Sequence, residues 1–328
     1  MIDQAMTPDR VAAESRLALD RIGSLARHTP LAIAPWLAAS PGSQVFLKLE
    51  NRQTTGSFKL RGALNRLMTL TDEQRRRGCV AASSGNHGAA VAWAQKNLGI
   101  HGTIFVPEHT SSSKIDKIRE FGGKVQTFGT DGLDTEQHAR AYAAEHGQFY
   151  VSPYNDPQVV AGQGTIGVEL LDDLQDIDRV FVAVGGGGLI SGIASVLRSA
   201  NPSVEVIGCQ PAESAVMAAS VDAGRIVELE SGETLSDGTA GGIESDSVTF
   251  ALCRELVDEF IIVDESEIAA AMRDYRAAEG ERVEGAAGVA IAAVKKHAGD
   301  VSGNSIVIIC GGNVSDATWA SVTSSEDS

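Results

Sequence analysis

The chain has 328 residues, 43% hydrophobic and 21% charged, which on a scale of about 150 residues per domain points to two domains with sizeable cores. Its 27 Lys and Arg against 43 Asp and Glu leave a formal net charge of −16, which repels nucleic-acid phosphates and anionic membrane surfaces, so neither partner is expected. The opening MIDQAMTPDR carries no apolar signal core, no run of 18 apolar residues follows, and Cys79, Cys209, Cys253 and Cys310 are scattered without a Cys-x-x-Cys pair, so a soluble cytoplasmic protein without disulfides or structural zinc is expected.

Short β-branched runs alternate with helical patterns along the chain. Strands are predicted at Val45–Leu49, Cys79–Ala82, Thr103–Val106, Lys124–Phe128, Phe149–Ser152, Val180–Val184, Glu205–Cys209, Phe260–Val263 and Ile306–Cys310. Between them, Ala89–Leu98, Leu189–Ser199, Glu265–Glu279 and Ala286–His297 place apolar residues at helical spacing. This alternation predicts an α/β fold of open, mostly parallel twisted sheets with helices on both faces. The polar tail Ser321–Ser328 reads as frayed.

Three glycine-rich turns each follow an apolar strand: Ser83–Gly88, Gly185–Gly188, and Cys310–Asn313. In open α/β sheets ligands bind beyond the carboxyl ends of strands, where glycine lets backbone approach closely. Three such turns suggest converging walls of one site.

The segment Lys48–Ala63 ends a strand near Glu50, turns at Gly56, offers Ser57 as an N-cap, and continues as a helix through Leu64, Leu67 and Met68. Lys59 and Arg61 then fall in the first helical turn, where the macrodipole disfavours cations, and broken local rules mark functional positions. A lysine held there should have a lowered pKa, as a Schiff-base lysine requires. Standing alone, the segment would more simply be a solvated surface lysine.

The tetraglycine Gly185–Gly188 between a strand and a helix presents backbone N–H groups and a positive helix end to a phosphate. No Gly-Lys-Ser/Thr follows, and the spacing Gly186-x-Gly188-x-x-x-Gly192 is not that of a dinucleotide fold. A phosphate cradle without nucleotide features is the reading, against a plain tight turn. The turn Ser83-Ser84-Gly85-Asn86-His87-Gly88 has hydroxyls, an amide and helix-start N–H groups suited to a small carboxylate, although a lone His87 is more often structural.

Together, Ser57–Ala63, Ser83–Gly88, Ala161–Thr165, Gly185–Gly188 and Cys310–Asn313 resemble, in order, the fold-type II pyridoxal-phosphate enzymes of the serine/threonine dehydratase and serine racemase branch, over roughly residues 25–320. The resemblance implies that Lys59 forms the Schiff base with pyridoxal 5'-phosphate and moves the substrate's α-proton. It implies that Phe58 packs beside the cofactor ring, Asn86 bonds the ring hydroxyl, Gly185, Gly186, Gly187, Gly188 and Leu189 hold the phosphate, and Cys310 faces the ring nitrogen. Ser83, Ser84, Asn86 and His87 would receive the substrate, with Ser84 as a second acid/base in the racemase pattern. Gly238 and Glu284 match more loosely.

The implied reaction is loss of water from L-threonine or L-serine, giving 2-oxobutanoate or pyruvate and ammonia. Serine racemisation with side dehydration and hydroxyaspartate dehydration are the alternatives. The segment Gln210–Val216, which holds a divalent cation in eukaryotic serine racemases, has neutral residues at both carboxylate positions, so no metal is expected there. The resemblance also implies a large domain of residues 1–50 and 151–328, a small mobile domain of residues 51–150, and a homodimer.

Overall fold

The computed structural model describes residues 6–38, 42–297 and 302–324. Ten strands form two sheets: β1 (Leu31–Ile33), β2 (Ser43–Lys48), β3 (Cys79–Ala82), β4 (Gly102–Val106), β5 (Val125–Thr127), β6 (Phe149–Tyr150), β7 (Arg179–Ala183), β8 (Glu205–Pro211), β9 (Glu259–Val263) and β10 (Gly303–Ile308). The larger sheet runs β1-β2-β10-β7-β8-β9, and the smaller runs β5-β4-β3-β6. All pairs are parallel except β1 with β2. Val180, Phe181 and Val182 of β7 are all buried, as expected of a parallel strand covered on both faces.

Each sheet has its own apolar core. One gathers Leu47, Phe181, Ile207, Ile291 and Ile308 around the larger sheet, and the other gathers Leu60, Leu64, Leu67, Val91 and Ile104 beside the smaller. The helix Lys59–Met68 belongs to the second core through Leu60, Leu64 and Leu67, and also packs against the helix Pro157–Asp173. A Cβ on Gly162 would lie 2.6 Å from the Cα of Gly62, so these two backbones touch where only glycines fit. Gln163 Oε1 accepts the Gly62 N–H there (3.1 Å), and Thr165 Oγ1 accepts from Arg61 Nη1 (3.1 Å). The Ala161–Thr165 motif therefore seats the lysine-bearing helix.

Several boundaries differ from the sequence reading. The edge strand β1 was not predicted, because three residues between Pro30 and Pro35 are too short to show a strand period. The final strand begins at Gly303 and ends at Ile308, so Cys310 lies beyond it. Ser57 does not cap the lysine helix: the N-cap position is Phe58, with no side-chain cap, and Ser57 Oγ is buried without a hydrogen bond among the described residues. Ser57 instead forms an isolated antiparallel bridge with Gly311. The tail is less frayed than expected, since Asp316–Ser324 is a helix burying Trp319 and Val322, while residues 325–328 lie outside the described residues.

Candidate active site

In the larger sheet β2, β10 and β7 are consecutive neighbours, so the turns after them sit side by side at one edge. These are the turn from Leu49 to Ser57, the turn Cys310–Asn313, and the tetraglycine. The Ser83–Gly88 turn leaves β3, an inner strand of the smaller sheet, and meets them from across the cleft. The Phe58 N–H donates to the Cys310 carbonyl (3.0 Å), which ties the lysine segment to the end of β10.

Lys59 is the first residue of its helix, and its Nζ donates to the Pro153 carbonyl (3.0 Å) with the Phe58 ring centroid 5.1 Å away. Its pKa falls from 10.5 to about 8. The direction is the one expected, but burial is the main cause, partly offset by Cys310 and Glu284. Arg61, in the same turn, does not reach the cleft. It is wholly buried between Glu50 (2.8 Å) and Glu169 (2.6 Å), so its break with helix-end preference has a structural cause.

Next along the site is the tetraglycine. Gly187 has φ +81° and precedes the helix Gly188–Ala200, and a Cβ on Gly186 would lie 2.4 Å from the Tyr154 ring. The Thr249 hydroxyl donates to the Gly186 carbonyl (2.5 Å), which fixes that peptide of the turn. Side chains of Thr7, Thr71, Asp131, Asp156, Ser247 and Asp264 cap helices elsewhere. The three helices that start at this site, at Lys59, Asn86 and Gly188, have no side-chain N-cap, as is also true of Ser112–Glu120 and Val216–Asp222. In the lysine helix the Arg61 and Gly62 N–H groups are taken by the Phe58 carbonyl and Gln163 Oε1, so the helix starts at Asn86 and Gly188 are the ones suited to an anion. Leu189, the second residue of its helix, is buried and can contribute only its backbone.

On the facing wall, Asn86 Nδ2 donates to both oxygens of Glu284 (3.0 and 2.9 Å), and Asn86 Oδ1 accepts from Asn313 Nδ2 (2.6 Å). The Cys310 Sγ lies 3.8 Å from Glu284 Oε1. Burial pushes the Cys310 thiol well above its usual value, with Glu284 adding to the shift, so it presents a neutral S–H. Burial also raises the Glu284 carboxyl, against the bonds from Asn86, Asn313 and Cys310 that lower it.

Ser83 Oγ accepts the Gly85 N–H (3.2 Å) and shapes the turn, while Ser84 is half-buried and its hydroxyl has no hydrogen bond among the described residues. His87 follows in the same turn. Its ring is buried, Nε2 donates to the Val151 carbonyl (2.9 Å), and burial beside Lys59 drops its pKa to about 3, so the ring stays neutral. Gly238 lies in the wall, with space for a Cβ 3.7 Å from that of Ala286.

Sequence reading missed three contributors. Tyr154 packs on the tetraglycine, Asn313 was only a motif end, and Lys117 reaches Asn313 Oδ1 (2.5 Å) from the helix Ser112–Glu120. None carries a local signal, because each is brought in by chain far from the motif it touches. The Gln210 amide is occupied within the protein, donating to the Val184 carbonyl (2.9 Å) and accepting the Ala218 N–H (2.8 Å). Among the described residues a cluster with metal-ligand spacing, Glu205, Glu259 and His297, lies at the other end of the strands, where Arg179 already pairs with Glu205 (3.1 Å). No helix there is long and apolar enough to cross a membrane.

The donor set fits one class of ligand. Uncapped helix N-termini and glycine N–H groups suit a phosphate, a desolvated amine suits an aldehyde, and a polar wall of amide, thiol and carboxylate suits a heteroaromatic ring. Comparison with known proteins agrees. The L-threonine ammonia-lyase of Thermotoga maritima is 42% identical over 292 residues, covering 89% of this chain and 72% of that protein. The processed threonine deaminase isoform 2 of Solanum lycopersicum superposes with a TM-score of 0.91 at 34% identity, over 98% of this chain and 94% of the other. Maize serine racemase superposes with a TM-score of 0.89 at 32% identity, over 96% and 98%. Residues 22–312 match a family described as pyridoxal-phosphate dependent enzyme, and with the lysine, the glycine turn and the facing amide wall in place, the chain belongs to that family.

Proposed function

We propose that the protein is a threonine/serine ammonia-lyase, converting L-threonine to 2-oxobutanoate and L-serine to pyruvate with release of ammonia. The observation that carries this reading is Lys59, a desolvated amine with a pKa near 8 set between an uncapped glycine turn and a neutral thiol. Lys59 would hold pyridoxal phosphate through Nζ, with Phe58 beside the ring. Gly185, Gly186, Gly187, Gly188 and Leu189 would take its phosphate, Asn86 its ring hydroxyl, and Cys310 its ring nitrogen. When bound, the cofactor supplies the electron sink for the carbon that loses its proton.

The chain's own groups do the rest. The Ser83–Gly88 turn offers hydroxyl and N–H donors to the substrate carboxylate and so fixes the Cα–H bond toward Lys59. Burial lowers Lys59 Nζ to about 8, so a fraction of it is neutral at working pH and can accept the α-proton. A neutral Cys310 would offer the ring nitrogen a thiol and no counter-charge, which suits loss of a β-hydroxyl. The hydroxyl leaves as water by taking up one proton, which balances the α-proton accepted by Lys59, and one water is taken up again when the released enamine becomes the 2-oxo acid and ammonium. Residues 51–150 act as a small mobile domain that closes on residues 1–50 and 151–328 and excludes water. A cytoplasmic homodimer is the form expected.

Ser84 supports a second reading. Its free hydroxyl and the likeness to a serine racemase suit proton return from the opposite face, giving D-serine. Chirally resolved product analysis with L-serine, L-threonine and L-threo-3-hydroxyaspartate, each given to cofactor-loaded protein, separates the readings. Dominant 2-oxo acid from threonine and serine, lost at least about 1,000-fold in Lys59→Ala, is the expected result. Dominant D-serine, or full turnover by Lys59→Ala, overturns it.

A further inference from the structure

Lys117 belongs to no motif. It sits on the helix Ser112–Glu120, which packs beside the smaller sheet, yet its half-buried ammonium reaches across the cleft to Asn313 Oδ1 (2.5 Å). Asn313 Nδ2 then donates to Asn86 Oδ1 (2.6 Å) and to the Thr55 carbonyl (3.0 Å). Asn86 Nδ2 donates to both oxygens of Glu284, which also accepts the Asn313 N–H (3.3 Å) and lies against the Cys310 thiol. The polar chain thus passes between the two halves of the molecule three times, from Lys117 to Asn313, back to Asn86, and over again to Glu284.

Direction in such a chain is set at its ends. Side-chain amides can be turned over with little change of shape, but an ammonium only donates, and here both oxygens of Glu284 accept from Asn86 Nδ2. With Lys117 at one end and Glu284 at the other, every amide in between has a single consistent orientation. A cation on the first carbonyl also polarises the bonds that follow, making each N–H a better donor.

We infer that Lys117 is a positioning residue for the cofactor pocket: by holding and polarising Asn313 it fixes the amide of Asn86 and the carboxylate of Glu284 against the cofactor ring. The inference rests on the reading that Asn86 and Glu284 line that pocket. Lys117 touches neither substrate nor cofactor in this role. Its neighbour Lys114 makes a different contact, an exposed pair with Asp237 (3.3 Å) outside the amide chain, and serves as the control for a simple interdomain tether.

The test uses full-length protein and pyridoxal phosphate itself, with Lys117→Met, Lys117→Gln, Lys117→Arg and Lys114→Met. The readouts are the dissociation constant of the cofactor and the visible absorption maximum of the bound form, measured without substrate. Lys117→Met is expected to weaken cofactor binding at least tenfold and to shift the visible band. Lys117→Gln, neutral but still a donor, should fall between, and Lys117→Arg should stay within threefold of the parent with its band restored. Lys114→Met should match the parent. The inference is overturned if Lys117→Met keeps the parent's band and binds within twofold, or if Lys117→Arg is as impaired as Lys117→Met. Should the Met variant not fold, the Gln and Arg variants give the same contrast. A parent protein that binds no pyridoxal phosphate would instead sink the reading of the pocket.

Discussion

Replacing Arg61 by Leu should destabilise the protein severely, and the effect should depend on pH. The Arg61 guanidinium is wholly buried and donates to Glu50 Oε1 and Oε2 (2.8 and 2.9 Å), to Glu169 Oε1 and Oε2 (2.6 and 2.9 Å), to Thr165 Oγ1 and to the Arg27 carbonyl (3.1 Å each). Lys48 Nζ completes the cluster at 2.9 Å from both Glu169 and the partly exposed Asp173, so Arg61 and Lys48 face two wholly or almost wholly buried carboxylates, Glu50 and Glu169, and a third at the rim. Removing Arg61 leaves Lys48 alone among these three carboxylates, with Glu50 and Glu169 buried, and an uncompensated buried charge costs about 3–5 kcal/mol. At about 2 °C per kcal/mol for a chain of this length, the midpoint of thermal unfolding should drop by about 6–10 °C.

The pH dependence follows from Glu169. Burial raises its pKa, but Arg61 and Lys48 outweigh burial and hold the folded-state value below the usual one. A carboxyl with a depressed folded pKa contributes stability that is present above its unfolded pKa and fades as pH falls through the folded value. Without Arg61 that depression is lost, so the gap between parent and variant should be widest near neutral pH and narrow below about pH 5. Urea unfolding at pH 7 and pH 4.5, on the same cofactor-loaded preparations, measures both. A cost under about 1 kcal/mol at pH 7, or one unchanged at pH 4.5, would refute the reasoning that an ion cluster anchors the lysine helix.

Three further outcomes are expected. Cofactor-free protein should take up pyridoxal phosphate faster as pH rises, about tenfold per unit well below pH 8 and levelling above it, because attack needs the neutral Lys59 amine; a flat profile from pH 6 to 9 would contradict this. Gly186→Ala puts a methyl 2.4 Å from the Tyr154 ring and should weaken cofactor binding at least about tenfold while far-ultraviolet circular dichroism is kept; unchanged binding in a titration would show that the turn does not hold the phosphate. Gly162→Ala forces apart the backbones at Gly62 and should cost about 2–3 kcal/mol in chemical unfolding, whereas a neutral result would mean that the two helices separate freely.

Local sequence determined a good deal of this protein. Alternating β-branched runs and helical patterns specify parallel α/β layers, and strands such as Cys79–Ala82 and helices such as Glu265–Glu279 fall where the pattern puts them. Lys59 at a helix start, the tetraglycine and the Ser83–Gly88 turn are contiguous, so their chemistry can be read without knowing what lies opposite.

Tertiary structure decided the rest, because burial and pairing are set by residues distant in the chain. Arg61 and Lys59 break the same local rule two residues apart, yet one is neutralised by Glu50 and Glu169 while the other faces the cleft. His87 looks available in the turn, but its ring is spent on Val151. The strand order β2-β10-β7 brings three turns to one edge, and only then do Asn313, Asn86, Glu284 and Lys117, from four separate stretches of chain, become one polar wall. Periodicity registers which face of an element is apolar; it carries no record of which element comes to lie against it.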